Sequence, residues 1–323
     1  MSDHILIESK IQKFKKKIQV GSDKSISIRS VLLASQAVGT SKISNLLESE
    51  DVLNSIRAIR KLGINCEKKG GVYYIYGFGV NGFNIKKNIT INAGNSGTLA
   101  RLILGLLVKS KFKIKLKGDR SLSKRDFSRV IKPLKLFGAN IKSKNNLLPI
   151  EILGTNFLRP IKYQENIGSA QVKSCIILCA LNTPGVTIIN SKSSRNHTEL
   201  MLKFLKYPIK VKRTKKVDKI FIQGQNQFKA FKYNIPGDIS SAAFFIILTC
   251  LRNNSSMTIN NVNINPSRIG IIYILKKMGA KIIFKNKKKY RGEQIADIFV
   301  KSPKNLKSIN CPIRLNSSSI DEF

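Results

Sequence analysis

The chain has 323 residues, with 58 Lys and Arg against 18 Asp and Glu, a formal net charge of +40 at pH 7. That length suits two domains with substantial cores better than one. Two histidines and five cysteines without CxxC spacing argue against a metal cage, and no apolar run is long enough to cross a bilayer.

Four small or polar clusters, at Ser25, Ser96, Ser169 and Ser240, each open an apolar run with helical spacing, and they recur at intervals of 71, 73 and 71 residues. The runs Ile28, Val31, Leu32, Ala34 and Leu99, Leu102, Ile103, Leu106 each predict a helix with one buried face. A short strand should follow each, then a second amphipathic helix closing on Leu62-Gly63, Phe137-Gly138 and Met278-Gly279, where glycine fits a left-handed stop. Val72 to Tyr76, Leu148 to Leu153 and Ile220 to Ile222 read as strands of a closing hairpin. Each block is thus strand, helix, strand, helix, two strands, and the fold class is α/β with large repeated blocks packed around shared cores. The most apolar run, Ala242 to Leu251, reads as a buried helix.

The N-terminus carries acids and bases without an apolar signal core, which predicts no export or transit signal. An odd cysteine count predicts reduced thiols and a cytoplasmic setting. Cys175 and Cys179, one helical turn apart, read as core residues, since only His4 and His197 are available as imidazole partners. Lysine outnumbers arginine about three to one. Its clusters (Lys15 to Lys17, Lys215 with Lys216, Lys287 to Lys289) scatter over predicted turns, with no recognition helix or aromatic-interleaved basic stripe, which argues against a nucleic-acid partner. The excess positive potential would still attract small anions.

The chemistry concentrates where the helices begin. Lys24, Ser25 and Arg29 of GSDKSISIRS stand at a helix mouth whose free N–H groups and dipole already favour an anion, although Lys-Ser there is also ordinary capping. In NAGNSGTLAR two glycines flank a polar run, allowing a ligand close to the backbone; a plain strand-to-helix turn uses similar residues. The loop Gly118 to Arg125 of GDRSLSKRD can fork onto phosphate or carboxylate, or be a solvated turn. SAQVKS supplies Ser169 and Gln171, and SRNHTELML supplies Arg195 with a His197 that can be structural or functional. In PGDISSAAFF, Asp238 reads as a cap or hinge.

These motifs, together with NPSRIGIIYILKKMGA and in this order, resemble the 5-enolpyruvylshikimate-3-phosphate synthase family, the 3-phosphoshikimate 1-carboxyvinyltransferases. Their Asn-Ser-Gly-Thr and Ser-Ala-Gln-Val-Lys-Ser forms are similar to its more glyphosate-tolerant branch. The resemblance implies a two-lobed enolpyruvyl-transferase fold of repeated βαβαββ units, with the active site in the cleft. Residues 22–236 would form a complete three-unit lobe, and 1–21 plus 237–323 a partial second lobe holding the first strand and about one unit of three. It implies transfer of the enolpyruvyl group of phosphoenolpyruvate to shikimate 3-phosphate, on the route to chorismate and the aromatic amino acids, with no metal or organic cofactor. Lys24, Ser25 and Arg29 would bind shikimate 3-phosphate, Lys24 also reaching phosphoenolpyruvate. Gly97 and Arg125 would hold the phosphoenolpyruvate phosphate, Ser169 and Gln171 would contact shikimate 3-phosphate, and Arg195 would assist. Asp321, in Ile320-Asp321-Glu322-Phe323, would be the general base.

The family's later segments have no match here, so the chain alone is expected to bind shikimate 3-phosphate weakly, turn over poorly, and expose apolar surface that a complementing C-terminal fragment would cover. Two alternatives stand beside this reading. One is the sister transferase acting on a UDP-amino sugar, against which the cysteine-free loop Gly118 to Arg125 speaks. The other is a non-catalytic anion- or nucleic-acid-binding remnant.

Overall fold

The computed structural model describes residues 10–214 and 217–322, except the side chain of Arg314. His4, Lys215, Lys216 and Phe323 lie outside the described residues. The chain divides into two compact units: Ser22–Pro236 with Lys289–Glu293, and the remainder, Met1–Gly21, Gly237–Lys288 and Gln294–Phe323. The segment 289–293, expected with 237–323, therefore groups with the first of these.

In the Ser22–Pro236 unit the chain builds three similar blocks around one continuous apolar core. After β1 (Lys15–Ile18), which belongs to the other unit, the first block runs α1 (Lys24–Ala34), β2 (Val38–Ser44), α2 (Glu50–Lys61), β3 (Asn65–Lys69), β4 (Val72–Phe78). The second runs β5 (Ile89–Asn92), α3 (Gly97–Leu106), β6 (Ile114–Lys117), the one-turn α4 (Arg120–Ser123), α5 (Ser128–Leu136), β7 (Asn140–Ser143), β8 (Ile150–Leu153). The third runs β9 (Lys162–Glu165), α6 (Ala170–Asn182), β10 (Val186–Lys192), α7 (His197–Phe204), β11 (Ile209–Arg213), β12 (Val217–Gln223), and β13 (Lys232–Asn234) follows. The other unit continues with α8 (Ile239–Leu251), β14 (Ser256–Asn263), α9 (Gly270–Lys277), most of β15 (Lys281–Tyr290) and of β16 (Glu293–Lys301), whose adjoining ends fall in 289–293, and short turns including α10 (Asn316–Ser319), around its own core.

The four sheets among the described residues share one strand order: β5-β6-β8-β7, β9-β10-β12-β11, β13-β2-β4-β3 and β1-β14-β16-β15. In each, a first strand pairs parallel with the second, whose remaining neighbour is the antiparallel hairpin. In two sheets that first strand comes from far away in sequence. β13 pairs with β2 at Tyr233↔Ile43, and β1 pairs with β14 at Ile18↔Ile259.

Local chemistry explains the elements. α2 places Glu50 and Asp51 in its first turn and Arg60 and Lys61 in its last, matching the helix dipole. It buries Val52, Ile56 and Ile59 along one stripe and stops at Gly63 with φ +83°. β4 alternates strictly, burying Tyr73, Ile75 and Gly77.

α8 corrects an expectation. It buries Ile239, Ala242, Ala243, Ile246 and Cys250, but Phe244 is 77% exposed and Leu251 68% exposed. Apolar composition all round predicts a helix covered all round; burial depends on what the fold lays over each face, and among the described residues nothing covers this one.

Candidate functional site

Three helices of the Ser22–Pro236 unit are buried along most of their length, and the first-turn positions that are not fully buried are Lys24 and Ser25 on α1, Thr98 on α3, and Ala170 and Gln171 on α6. α1 is capped by Asp23, whose carboxylate accepts from the Ile26 N–H at 2.8 Å, and every residue from Ile26 to Ala34 is buried. Only Lys24 and Ser25 emerge. α3 is capped by Ser96, whose Oγ accepts from the Leu99 N–H, and α6 by Ser169, whose Oγ accepts from the Val172 N–H, both at 3.3 Å. α6 is buried throughout from Val172 to Asn182. α3 and α6 approach so closely that a Cβ on Gly105 would lie 2.3 Å from the Cys175 carbonyl oxygen, which fixes the two capped ends relative to each other.

Around those ends lies a cavity of about 370 Å³ lined by Arg101, Arg125, Asp126, Arg129, Ser169, Gln171 and Val172. The Gln171 side chain is held at both ends: its Nε2 donates to Thr98 Oγ1 at 3.1 Å and its Oε1 accepts from Arg101 Nη1 at 3.0 Å. The Arg101 guanidinium stacks 4.9 Å from the Phe127 ring centre. Burial, and then the nearby Arg125 and Arg129, push its pKa down, as expected where like charges face one another. Gly97 sits against this cluster. A Cβ there would meet Arg101 Nη1 at 2.9 Å and Arg125 Nη1 at 3.2 Å, so the missing side chain is the space the two guanidiniums occupy.

The loop before α5 is more ordered than a solvated turn. Asp119 caps the one-turn α4 by accepting from the Leu122 N–H at 2.7 Å, and its other oxygen accepts from Asn95 Nδ2 at 2.7 Å. Asn95 Oδ1 in turn accepts from Arg125 Nη2 at 3.3 Å. The Leu122 amide, and then Asn95, hold the Asp119 carboxyl below its usual range.

The structure thus brings Gly97, Arg125, Ser169 and Gln171 together. Lys24 lies at the mouth of α1, its Nζ 3.1 Å from Asp51 Oδ2 on α2. Arg29 is only 4% exposed; it points inward, donating to Ser25 O, Thr198 Oγ1 and Ser174 Oγ at 3.0, 2.9 and 3.1 Å. Arg195 immediately precedes Asn196, the cap position of α7, and is half-buried. Asp321 is exposed on the turn Ile320–Glu322 of the other unit. His197 is structural: its Nδ1 is 2.7 Å from Glu293 Oε1 and both side chains are fully buried. Asp238 caps α8 and pairs with Arg268 at 3.1 Å.

Arg101 and Arg129 are additions to the residues singled out from sequence. Arg101 was legible, since a helix opening at Gly97 returns to the same face four residues later. Arg129 carries no local signal that separates it from a solvated helix arginine. Among the described residues no group of three His, Cys, Asp or Glu side chains forms a metal-holding cluster, and no helix is long and apolar enough to cross a membrane.

A family model described as EPSP synthase (3-phosphoshikimate 1-carboxyvinyltransferase) matches residues 9–314. The 3-phosphoshikimate 1-carboxyvinyltransferase of Ruthia magnifica subsp. Calyptogena magnifica is 45% identical over 308 residues, 95% of this chain and 69% of that relative. The enzyme of the same name from Legionella pneumophila (strain Lens) is 40% identical over 96% of this chain and 70% of its own length. The solved EPSP synthase from Acinetobacter baumannii superposes with a TM-score of 0.87 at 38% identity, over 96% of this chain and 70% of that one.

Proposed function

The chain belongs to the EPSP synthase family, and on that premise we propose that it moves the enolpyruvyl group of phosphoenolpyruvate to the 5-hydroxyl of shikimate 3-phosphate, releasing phosphate, on the route to chorismate. One observation carries the reading onto this chain's own residues. Arg101, Arg125 and Arg129 line one cavity with Ser169 and Gln171, and its single carboxylate, Asp126, is engaged by the N–H and hydroxyl of Ser128. Three guanidiniums against one lining carboxylate leave the cavity with an excess of positive charge that suits a phosphate-bearing ligand.

The reaction is addition followed by elimination. The 5-hydroxyl oxygen bonds to C2 of phosphoenolpyruvate as C3 takes a proton and Asp321 accepts the proton of the hydroxyl. The bond from C2 to the phosphate oxygen then breaks, inorganic phosphate leaves, and C3 gives up a proton to restore the double bond. Fixed cations contribute most where charge gathers on the departing phosphate, because they need no reorganisation at that moment. We assign Arg125, with the space at Gly97, to the phosphoenolpyruvate phosphate. Ser25, Ser169, Gln171 and Arg195 are assigned to shikimate 3-phosphate, with Arg29 anchored beneath them, and Lys24 is placed between the two substrates. The free cysteines fit a reducing compartment, and we place the reaction in the cytoplasm.

Phosphate release from the two substrates, assayed at protein concentrations high enough to register slow turnover, tests the proposal. Wild type should release phosphate, and Lys24→Ala should abolish the release. Release that persists in Lys24→Ala, or a wild type to which shikimate 3-phosphate does not bind calorimetrically, would sink it.

A further inference from the structure

Beneath the helix mouths, α6 and α7 are joined by two successive polar rungs. Lys173 Nζ lies 2.9 Å from Glu199 Oε1, with side chains 0% and 2% exposed. One residue along on each helix, the hydroxyls of Ser174 and Thr198 meet at 2.8 Å. Arg29 reaches across from α1 and donates to both hydroxyls. Each helix in this interlock starts with residues assigned to substrate: Lys24 and Ser25 on α1, Ser169 and Gln171 on α6, Arg195 ahead of α7.

The ion pair is a poor device for stability. Beyond that pairing, no hydrogen bond reaches the Lys173 ammonium or either Glu199 oxygen among the described residues. Asp218 is a further buried carboxylate in the same electrostatic neighbourhood. Two charges removed from water and satisfied by little more than each other recover their desolvation poorly, and apolar side chains of similar size would serve a core as well or better. What the pair supplies is register. A charge-paired rung beside a hydroxyl rung allows one rotation and one axial offset of α6 against α7, whereas apolar contacts tolerate several.

We propose that Lys173, Glu199, Ser174 and Thr198 are positioning residues that hold the mouths of α1, α6 and α7 in the one arrangement able to grip shikimate 3-phosphate. The substrate side of this inference rests on the proposed function; the interlock itself does not.

The test combines Lys173→Met/Glu199→Leu with the isosteric Thr198→Val and its hydroxyl-retaining control Thr198→Ser. Three quantities are read: melting temperature, calorimetric affinity for shikimate 3-phosphate, and amide hydrogen exchange at Val172 and Leu200, the first-turn amides of α6 and α7. The apolar double variant should melt at or above the wild-type temperature, bind at least tenfold more weakly, and exchange those two amides at least tenfold faster while the interior of α3 stays protected. Thr198→Val should weaken binding about tenfold, and Thr198→Ser should stay within threefold of wild type. Affinity within threefold of wild type with unchanged exchange in the double variant overturns the proposal, as does a binding loss that appears only together with a fall in melting temperature. If the double variant does not fold, the contrast between Thr198→Val and Thr198→Ser decides. If wild type binds no shikimate 3-phosphate, the family activity is what fails, and the exchange measurement still decides the interlock.

Discussion

Gly97→Ala is the most discriminating single change. The added methyl would sit 2.9 Å from Arg101 Nη1 and 3.2 Å from Arg125 Nη1, where ordinary contact begins near 3.4 Å. The Arg101 end must therefore retreat by about half an ångström and the Arg125 end by less. Both neighbours are the tips of flexible side chains, so they can give way, and Gly97 does not have a left-handed φ. Folding should thus be spared, and alanine's better helix propensity favours the variant slightly. The cost falls on the anion. A charge-assisted hydrogen bond contributes about 1.5–3 kcal/mol, so misdirecting one guanidinium corresponds to roughly a 10- to 100-fold loss of affinity. Phosphoenolpyruvate titrated calorimetrically into the chain saturated with shikimate 3-phosphate measures this directly, with thermal melting alongside. Affinity within twofold of wild type would show that these guanidiniums do not hold the phosphate, and a large fall in melting temperature would show that the crowding is structural.

The Asp119 cap gives a pH-dependent prediction with a definite sign. Its folded pKa is depressed, first by the Leu122 amide, so its stabilisation is present above the unfolded value and is lost as pH falls through the lower, folded one. Asp119→Ala should flatten the acid limb of the stability curve and, by releasing Asn95, weaken phosphate binding; an unchanged acid limb counts against the cap. On α8, Phe244→Ser with Leu251→Ser should cut apolar-dye binding by the folded chain several-fold and leave the melting temperature nearly unchanged; undiminished dye signal would locate the apolar surface elsewhere. Burial pushes the Cys175 thiol up to about 12 and the Cys66 and Cys250 thiols to about 11, with Cys179 also well raised. A thiol reagent should therefore label exposed Cys311 promptly and the other four only on unfolding, and more than one fast thiol in the native chain would contradict the packing.

Local physics is written locally, and the sequence alone determined what depends on it. The recurrence of capped helix openings follows from side-chain oxygens a few residues from the amides they accept from: the Asp23 carboxylate beside Ser25, and the hydroxyls of Ser96 and Ser169. The glycine stop after α2 and the alternation in β4 are local in the same way. The order of the motifs was enough to indicate the family and to nominate Gly97, Arg125, Ser169 and Gln171. Tertiary structure decided what depends on partners distant in the chain. It set which strand completes each sheet, as when β13 pairs with β2, and among the described residues it left one face of α8 uncovered. It turned Arg29 inward to Thr198, 169 residues away, and paired His197 with Glu293, 96 residues away. It also buried Lys173 against Glu199, two charges that the sequence presents as ordinary helix residues. A helix's period fixes which side chains share a face, but only the neighbour laid against that face determines whether a charge there meets water, a ligand or an opposite charge.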